Sequence, residues 1–162
     1  MSRLDSFIRR LEAQRACIDA AAQMIAHLEG PVFELGLGNG RTYDHLRERL
    51  EGREIFVFER QLAAHPACVP DAAHLFLGDI HETLPAAAER FEARVALVHS
   101  DIGTGDDAAN AVIAAFLSGY LEALLRPGGV VISDQPMTLA AADSLPPPAG
   151  VKPGRYFFYR RR

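Results

Sequence analysis

The run Val32-Phe33-Glu34-Leu35-Gly36-Leu37-Gly38-Asn39-Gly40-Arg41-Thr42 limits the fold of this 162-residue chain more than any other stretch. It reads as a short buried strand passing into a glycine turn, with a helix opening at Thr42-Tyr43-Asp44. Glycine at every second position leaves the turn without Cβ atoms. A ligand can then approach the backbone closely, and positive φ costs little. The helix behind the turn offers its unpaired N–H groups and positive end to the same crevice.

Four more apolar runs follow, each closing on an acid. They are Ile55–Phe58 before Glu59, His74–Leu77 before Gly78-Asp79, Val95–His99 before Ser100-Asp101, and Val130–Ser133 before Asp134. Helical segments are expected at 42–50, at 81–90, and from an Asp106 N-cap through the apolar positions 112–125. Continuous apolar strands alternating with helices predict one α/β domain over residues 1–162. Its sheet is expected to be doubly wound and mainly parallel, with helices on both faces.

Residues 3–29 predict an additional N-terminal helix. Leu4, Phe7, Ile8, Leu11, Ile18, Ile25 and Leu28 recur at helical spacing, Arg10 and Gln14 lie off that stripe, and Gly30-Pro31 ends the run. This helix is expected to pack on the sheet edge or on a neighbouring subunit, with roofing of the crevice as the alternative role. Beyond the 32–134 core, Met137–Ser144 reads as a short helix, Leu145–Pro153 as an extended proline-rich link, and Arg155–Arg160 as a single convincing strand. The C-terminal strands are therefore expected to be abbreviated. An uncovered sheet edge is a liability, so a second subunit or the N-terminal helix is expected to cover it, and a homodimer is the expectation that follows.

Composition removes several classes. Nearly half the chain is hydrophobic, yet no apolar run has the length of a membrane span. The start MSRLDSFIRRLEAQ lacks the continuous apolar core of a signal peptide. Cys17 and Cys68 form no metal or redox spacing. Reduced thiols, a cytoplasmic location and no membrane partner are the expectation. A net charge of −4 argues against a nucleic-acid partner. The basic end (Lys152, Arg155 and Arg160–Arg162) reads as a solvated tail. No G-x-x-x-x-G-K-[ST] occurs. A dinucleotide fingerprint aligned on Gly36 and Gly38 wants glycine or alanine where Arg41 stands.

The acids carry the functional argument. Ligands of open parallel sheets bind outside the carboxyl ends of the strands. Glu34, Glu59, Asp79, Asp101 and Asp134 are thereby expected on one rim, which would repel an anionic dinucleotide and suit a sulfonium, an ammonium and a ribose diol. The pattern Glu-x-Gly-x-Gly-x-Gly at 34–40 resembles the first motif of class I S-adenosylmethionine-dependent methyltransferases. Gly78-Asp79-Ile80, His99-Ser100-Asp101 and Leu125-Arg126-Pro127-Gly128-Gly129-Val130 resemble later motifs of that superfamily in the same order. The resemblance spans 32–134, implies a Rossmann-like fold, and implies methyl transfer from S-adenosyl-L-methionine, leaving S-adenosyl-L-homocysteine.

What the resemblance implies for single residues is specific. Glu34, Leu35, Gly36, Gly38, Asn39, Gly40 and Thr42 would meet the methionine portion. Glu59, with Arg60, would take the ribose hydroxyls, and Asp79 with Ile80 would meet the adenine. Ser100 and Asp101 would face the transferable methyl, with Asp101 and His99 as candidate bases. Asp101 with Asp134-Gln135 also resembles the acids that hold Mg²⁺ in metal-dependent O-methyltransferases. There an asparagine follows the second acid, so no metal ligand is assigned and Mg²⁺ is carried as an alternative. The acceptor is expected to be a small molecule. A cofactor-binding module without catalysis, and an NAD- or nucleotide-binding protein, are the alternatives from other classes.

Overall fold

The computed structural model describes residues 2–162. Four helices, α1 (Arg3–Met24), α2 (Arg41–Arg49), α3 (Ile80–Phe91) and α4 (Asp107–Leu124), alternate with strands β1 (Val32–Leu35), β2 (Ile55–Glu59), β3 (Leu75–Leu77), β4 (Val95–Ser100) and β5 (Leu125–Ser133). Two further strands, β6 (Ala142–Leu145) and β7 (Phe157–Arg161), complete one seven-stranded sheet of order β3-β2-β1-β4-β5-β7-β6. Strands β1 to β5 are parallel. Strand β7 runs antiparallel to β5, and β6 runs antiparallel to β7.

Alternation along each strand sorts its side chains between two cores. On one face Val32, Val57, Leu97, Ile132 and Phe158 meet Ile18 and Ala21 of α1, Ile25 just after it, and Leu46 of α2. On the other, Phe33, Phe56, Phe58, Val98 and Val131 meet Leu84 and Phe91 of α3 and Leu117 and Leu121 of α4. Phe33 is the hub of the second core. Its ring lies 5.0 Å from that of Phe58, 5.2 Å from Phe91 and 6.1 Å from Phe56.

The C-terminal end departs from the sequence expectation. Residues 137–144 are not a helix, and the sheet is not abbreviated. Thr138-Leu139-Ala140-Ala141-Ala142 has helical propensity, but antiparallel pairing of Ala142–Leu145 with β7 overrides it. The Met137 N–H donates to the Tyr159 hydroxyl at 2.8 Å, which pins the segment across β7. The edge beyond β5 is thus covered from within the chain, and the edge argument for a second subunit loses its basis. Helix α1 also stops at Met24, before the expected residue 29. The Arg53 guanidinium donates to the carbonyls of Leu28 (2.6 Å) and Gly30 (3.1 Å), so the chain turns there without further helix.

Candidate active site

The register of β1 against β4 sets Glu34 beside His99. Both side chains therefore leave the sheet on the α1/α2 face, as neighbours in one row. Neither has any exposed side-chain surface, and His99 Nδ1 lies 2.5 Å from a Glu34 oxygen. The other Glu34 oxygen accepts from the Thr42 hydroxyl in the first turn of α2. Burial pulls the His99 pKa down, but the adjacent Glu34 carboxylate outweighs it and the net direction is up. The pair thus ties the strand to the helix that follows the glycine turn. Glu34 was expected to meet the cofactor and His99 to act as a base. With no exposed side-chain surface, both side chains support the site from beneath.

Above this pair the turn forms the floor of a cleft. Gly36, Gly38 and Gly40 all have positive φ, at 89°, 52° and 88°. A Cβ on Gly36 would collide with Ile102, and one on Gly40 with Cys68, whereas one on Gly38 would meet nothing within 4 Å. Gly38 therefore faces open space. Glu59, at the end of β2, accepts from the N–H groups of Leu37 (2.8 Å), Gly38 (3.0 Å) and Gln61 (3.0 Å). Burial alone would raise its pKa, but these backbone donors hold the carboxyl below the usual glutamate range. Asp79 caps α3 through the His81 N–H at 2.9 Å and stays exposed.

The cleft has two parts. A space of about 450 Å³ is lined by Gly36, Gly38, Glu59, Arg60, Asp79, Ile80 and Asp101 with their neighbours. A second, of about 220 Å³, is lined by Phe7, Arg10, Leu11 and Gln14 of α1, by Gly36–Asn39, by Arg41 and Thr42, and by Asp101. Of the residues expected at the cofactor, Gly36, Gly38, Asn39, Thr42, Glu59, Arg60, Asp79, Ile80 and Asp101 line this cleft. Leu35, Gly40 and Ser100 are buried and bring no side chain to it. A larger groove of about 660 Å³ runs between α4 and residues 135–140, away from the glycine turn.

Asp101 sits where the two parts meet. Its oxygens accept from Arg10 Nη2 at 3.0 and 3.1 Å, and from the Gln14 amide. Asp134, aligned with it across the paired Ser100 and Ser133, accepts from the Gly103 N–H at 3.2 Å. Burial pushes the Asp134 carboxyl pKa up, and the nearby Asp101 charge adds to this. Tyr156 stacks on His99 with rings parallel to 3° and centroids 6.2 Å apart. The Tyr156 hydroxyl, His99 Nε2 and Asp134 Oδ1 are buried without partners. Buried polar atoms seldom stay unpaired in proteins, so this corner beside Asp101 is suited to polar company.

A sequence model of the S-adenosyl-L-methionine methyltransferase family matches residues 1–161. The crystal structure of an S-adenosyl-L-methionine methyl transferase from Silicibacter pomeroyi DSS-3 is 50% identical, with a TM-score of 0.94 over 100% of this chain and 99% of that one. This chain belongs to that family. More distant structures share the fold. An S-adenosylhomocysteine-bound methyltransferase of Podospora anserina has 16% identity and a TM-score of 0.58, over 100% of this chain and 80% of that one. The antibiotic-resistance methyltransferase Kmr has 13% identity and a TM-score of 0.52, over 93% and 90%. No curated protein matches the chain.

The methyltransferase has a donor set that fits its cofactor. Glu59, held below the usual glutamate range by backbone donors, borders the larger part, Gly38 leaves its backbone open to the cleft, and the Asp101 carboxyl borders both parts. S-adenosyl-L-methionine supplies an electrophilic methyl on a sulfonium. The chain supplies placement and charge. Among the described residues no group of three or more His, Cys, Asp or Glu side chains is arranged to hold a metal.

Three site residues escaped the sequence reading: Arg10, Gln14 and Tyr156. Gln14 was read as lying off the apolar stripe, but it is buried between Ala13 and Cys17. Its polar side chain on the buried face of α1 was the available signal. Tyr156 left none, because its place depends on how β7 returns to the sheet.

Proposed function

We propose that the methyltransferase delivers the methyl group to a small-molecule acceptor at the carboxyl ends of β4 and β5, with Asp101 as the catalytic carboxylate. One observation carries this reading. Among the described residues, Asp101 is the side chain that borders both parts of the cleft, the glycines common to both having none. An adenosyl group between Glu59 and Asp79 and an amino-acid group under α1 would meet beside it. In-line transfer depends mainly on holding donor and acceptor at near-contact distance. Where the acceptor carries a proton, Asp101 accepts it, with Asp134 alongside to share the charge. His99 has no part in that step, being enclosed and paired with Glu34.

The same reading includes a homodimer, for which the support is the exposed apolar set Leu4, Phe7 and Ile8 on α1. It also includes a cytoplasmic site of action, consistent with two free cysteines, one of them buried. Sedimentation at micromolar protein checks the first, and a monomer mass there refutes it. The central test incubates the protein with methyl-labelled cofactor and a size-fractionated cell extract. Label is expected in the small-molecule fraction. For Asp101→Asn the rate should fall about 10²-fold or more, as for loss of a general base, with S-adenosylhomocysteine affinity within tenfold of wild type. Label confined to macromolecules sinks the acceptor class, and an undiminished rate sinks the role of Asp101.

A further inference from the structure

Helix α1 lies outside the core that carries the motifs, yet it supplies four side chains to the smaller part of the cleft. Its first turns are unusual for a packed helix. Leu4, Phe7 and Ile8 remain 66%, 46% and 44% exposed, and the buried positions begin only at Ala13. The N-terminal half thus overhangs the cleft. It is tied down through Arg10, whose Nη2 alone makes both hydrogen bonds to Asp101. Among the described residues, Arg10 Nη1 and Nε make no hydrogen bond, and the side chain lines the cleft wall. Two of the guanidinium's three nitrogens are therefore available on the edge of a cavity.

The charge around that edge is selective. Arg41 stands across from Arg10 with its guanidinium 6.0 Å from the Phe7 ring. The first two residues of the nine-residue helix α2, Arg41 and Thr42, line the same space. Asn39 Oδ1 accepts from the Arg41 N–H at 3.3 Å, and Asp101 is already paired with Arg10, so the two guanidinium groups beside the start of α2 leave this edge suited to an anion. The anion must be small, since this part of the cleft holds only about 220 Å³. This part adjoins the larger one at Gly36, Gly38 and Asp101, so one ligand can occupy both.

We propose that Arg10 reads the α-carboxylate of the amino-acid end of the cofactor while keeping its hold on Asp101. Helix α1 is then a wall of the cofactor site, and Arg10 selects adenosyl ligands that carry an amino-acid tail. This inference rests on the cofactor site described above. It adds a specificity-determining residue from outside the motif-bearing core and couples cofactor binding to the position of the catalytic carboxylate.

The test is a calorimetric titration with two ligands. S-adenosylhomocysteine carries the tail, and 5′-methylthioadenosine shares the adenosyl group without it. Arg10→Gln should weaken the first about 10- to 100-fold, the usual scale for losing a charge-assisted contact, and leave the second within about twofold. Glu59→Ala should weaken both. Arg10 is half exposed, so the variant should melt with the wild type, which a thermal scan verifies. Unchanged S-adenosylhomocysteine affinity in Arg10→Gln, or equal losses for both ligands, overturns the role of Arg10 alone. Failure of the wild type to bind S-adenosylhomocysteine overturns the cofactor site and this inference with it.

Discussion

Replacing Glu34 by Gln removes one charge from a fully buried pair while nearly preserving shape and the Thr42 hydrogen bond. Removing one partner of such a pair costs about 3–5 kcal/mol when the other charge is left uncompensated. His99 has an escape that a buried arginine would lack, because it can shed its proton. Its folded-state pKa is raised above the unfolded value of about 6.5. The stabilisation from Glu34 is therefore fully present below that value and is lost as pH rises through the folded pKa. The variant should lose about 3 kcal/mol at pH 6, the low end of that range because His99 can give up its proton. As pH rises through the folded pKa of His99 the loss should shrink toward about 1 kcal/mol, the scale of one neutral hydrogen bond. At about 2–4 °C per kcal/mol for a domain of this size, the pH 6 melting point falls by about 6–12 °C. Thermal melts of both proteins in steps from pH 6 to pH 9 measure this. A difference that is constant with pH, or below about 2 °C at pH 6, would refute the assignment of Glu34–His99 as a charge pair.

The glycine turn gives a paired expectation. Gly38→Ala adds a methyl into open space at φ 52°, so stability should drop by only about 1–2 kcal/mol while S-adenosylhomocysteine affinity falls at least tenfold. Gly36→Ala instead drives its methyl into Ile102 and toward the Asp101 carbonyl 3.2 Å away. It should lower both stability and affinity, and equal melting points for the two variants would contradict the geometry. In the core, Phe33→Ala should cost about 3–5 kcal/mol in denaturant unfolding, because three other phenylalanines lose their shared partner. A loss under about 2 kcal/mol would mean the aromatic cluster collapses into the space. Glu59→Ala should weaken S-adenosylhomocysteine about tenfold or more, from loss of hydrogen bonds to a charged group, and calorimetry at neutral pH reads this directly.

Much of the site was legible from local order in the chain. A glycine turn needs residues without Cβ at fixed spacing, and an acid that closes an apolar run must emerge where a parallel strand ends. Both are short-range facts, so Gly36, Gly38, Glu59, Asp79 and Asp101 could be placed before any fold was known. The same holds for the five parallel strands, whose continuous apolar runs demand cover on both faces.

What remained hidden depends on which distant segments meet. Residues 137–144 have helical propensity in isolation, yet Ala142–Leu145 pair as a strand because β7 offers a ladder of backbone partners. Glu34 and His99 are 65 positions apart, and only the β1–β4 register makes them one buried pair instead of a ligand and a base. Arg10 and Gln14 reach Asp101 across 91 and 87 positions, because α1 crosses the rim at one angle among many that its own periodicity allows. Periodicity says which side of an element is buried, and chain ends and turns say where it stops. Which charges then face one another is decided by packing, since burying a charge is tolerable only where another element supplies its partner.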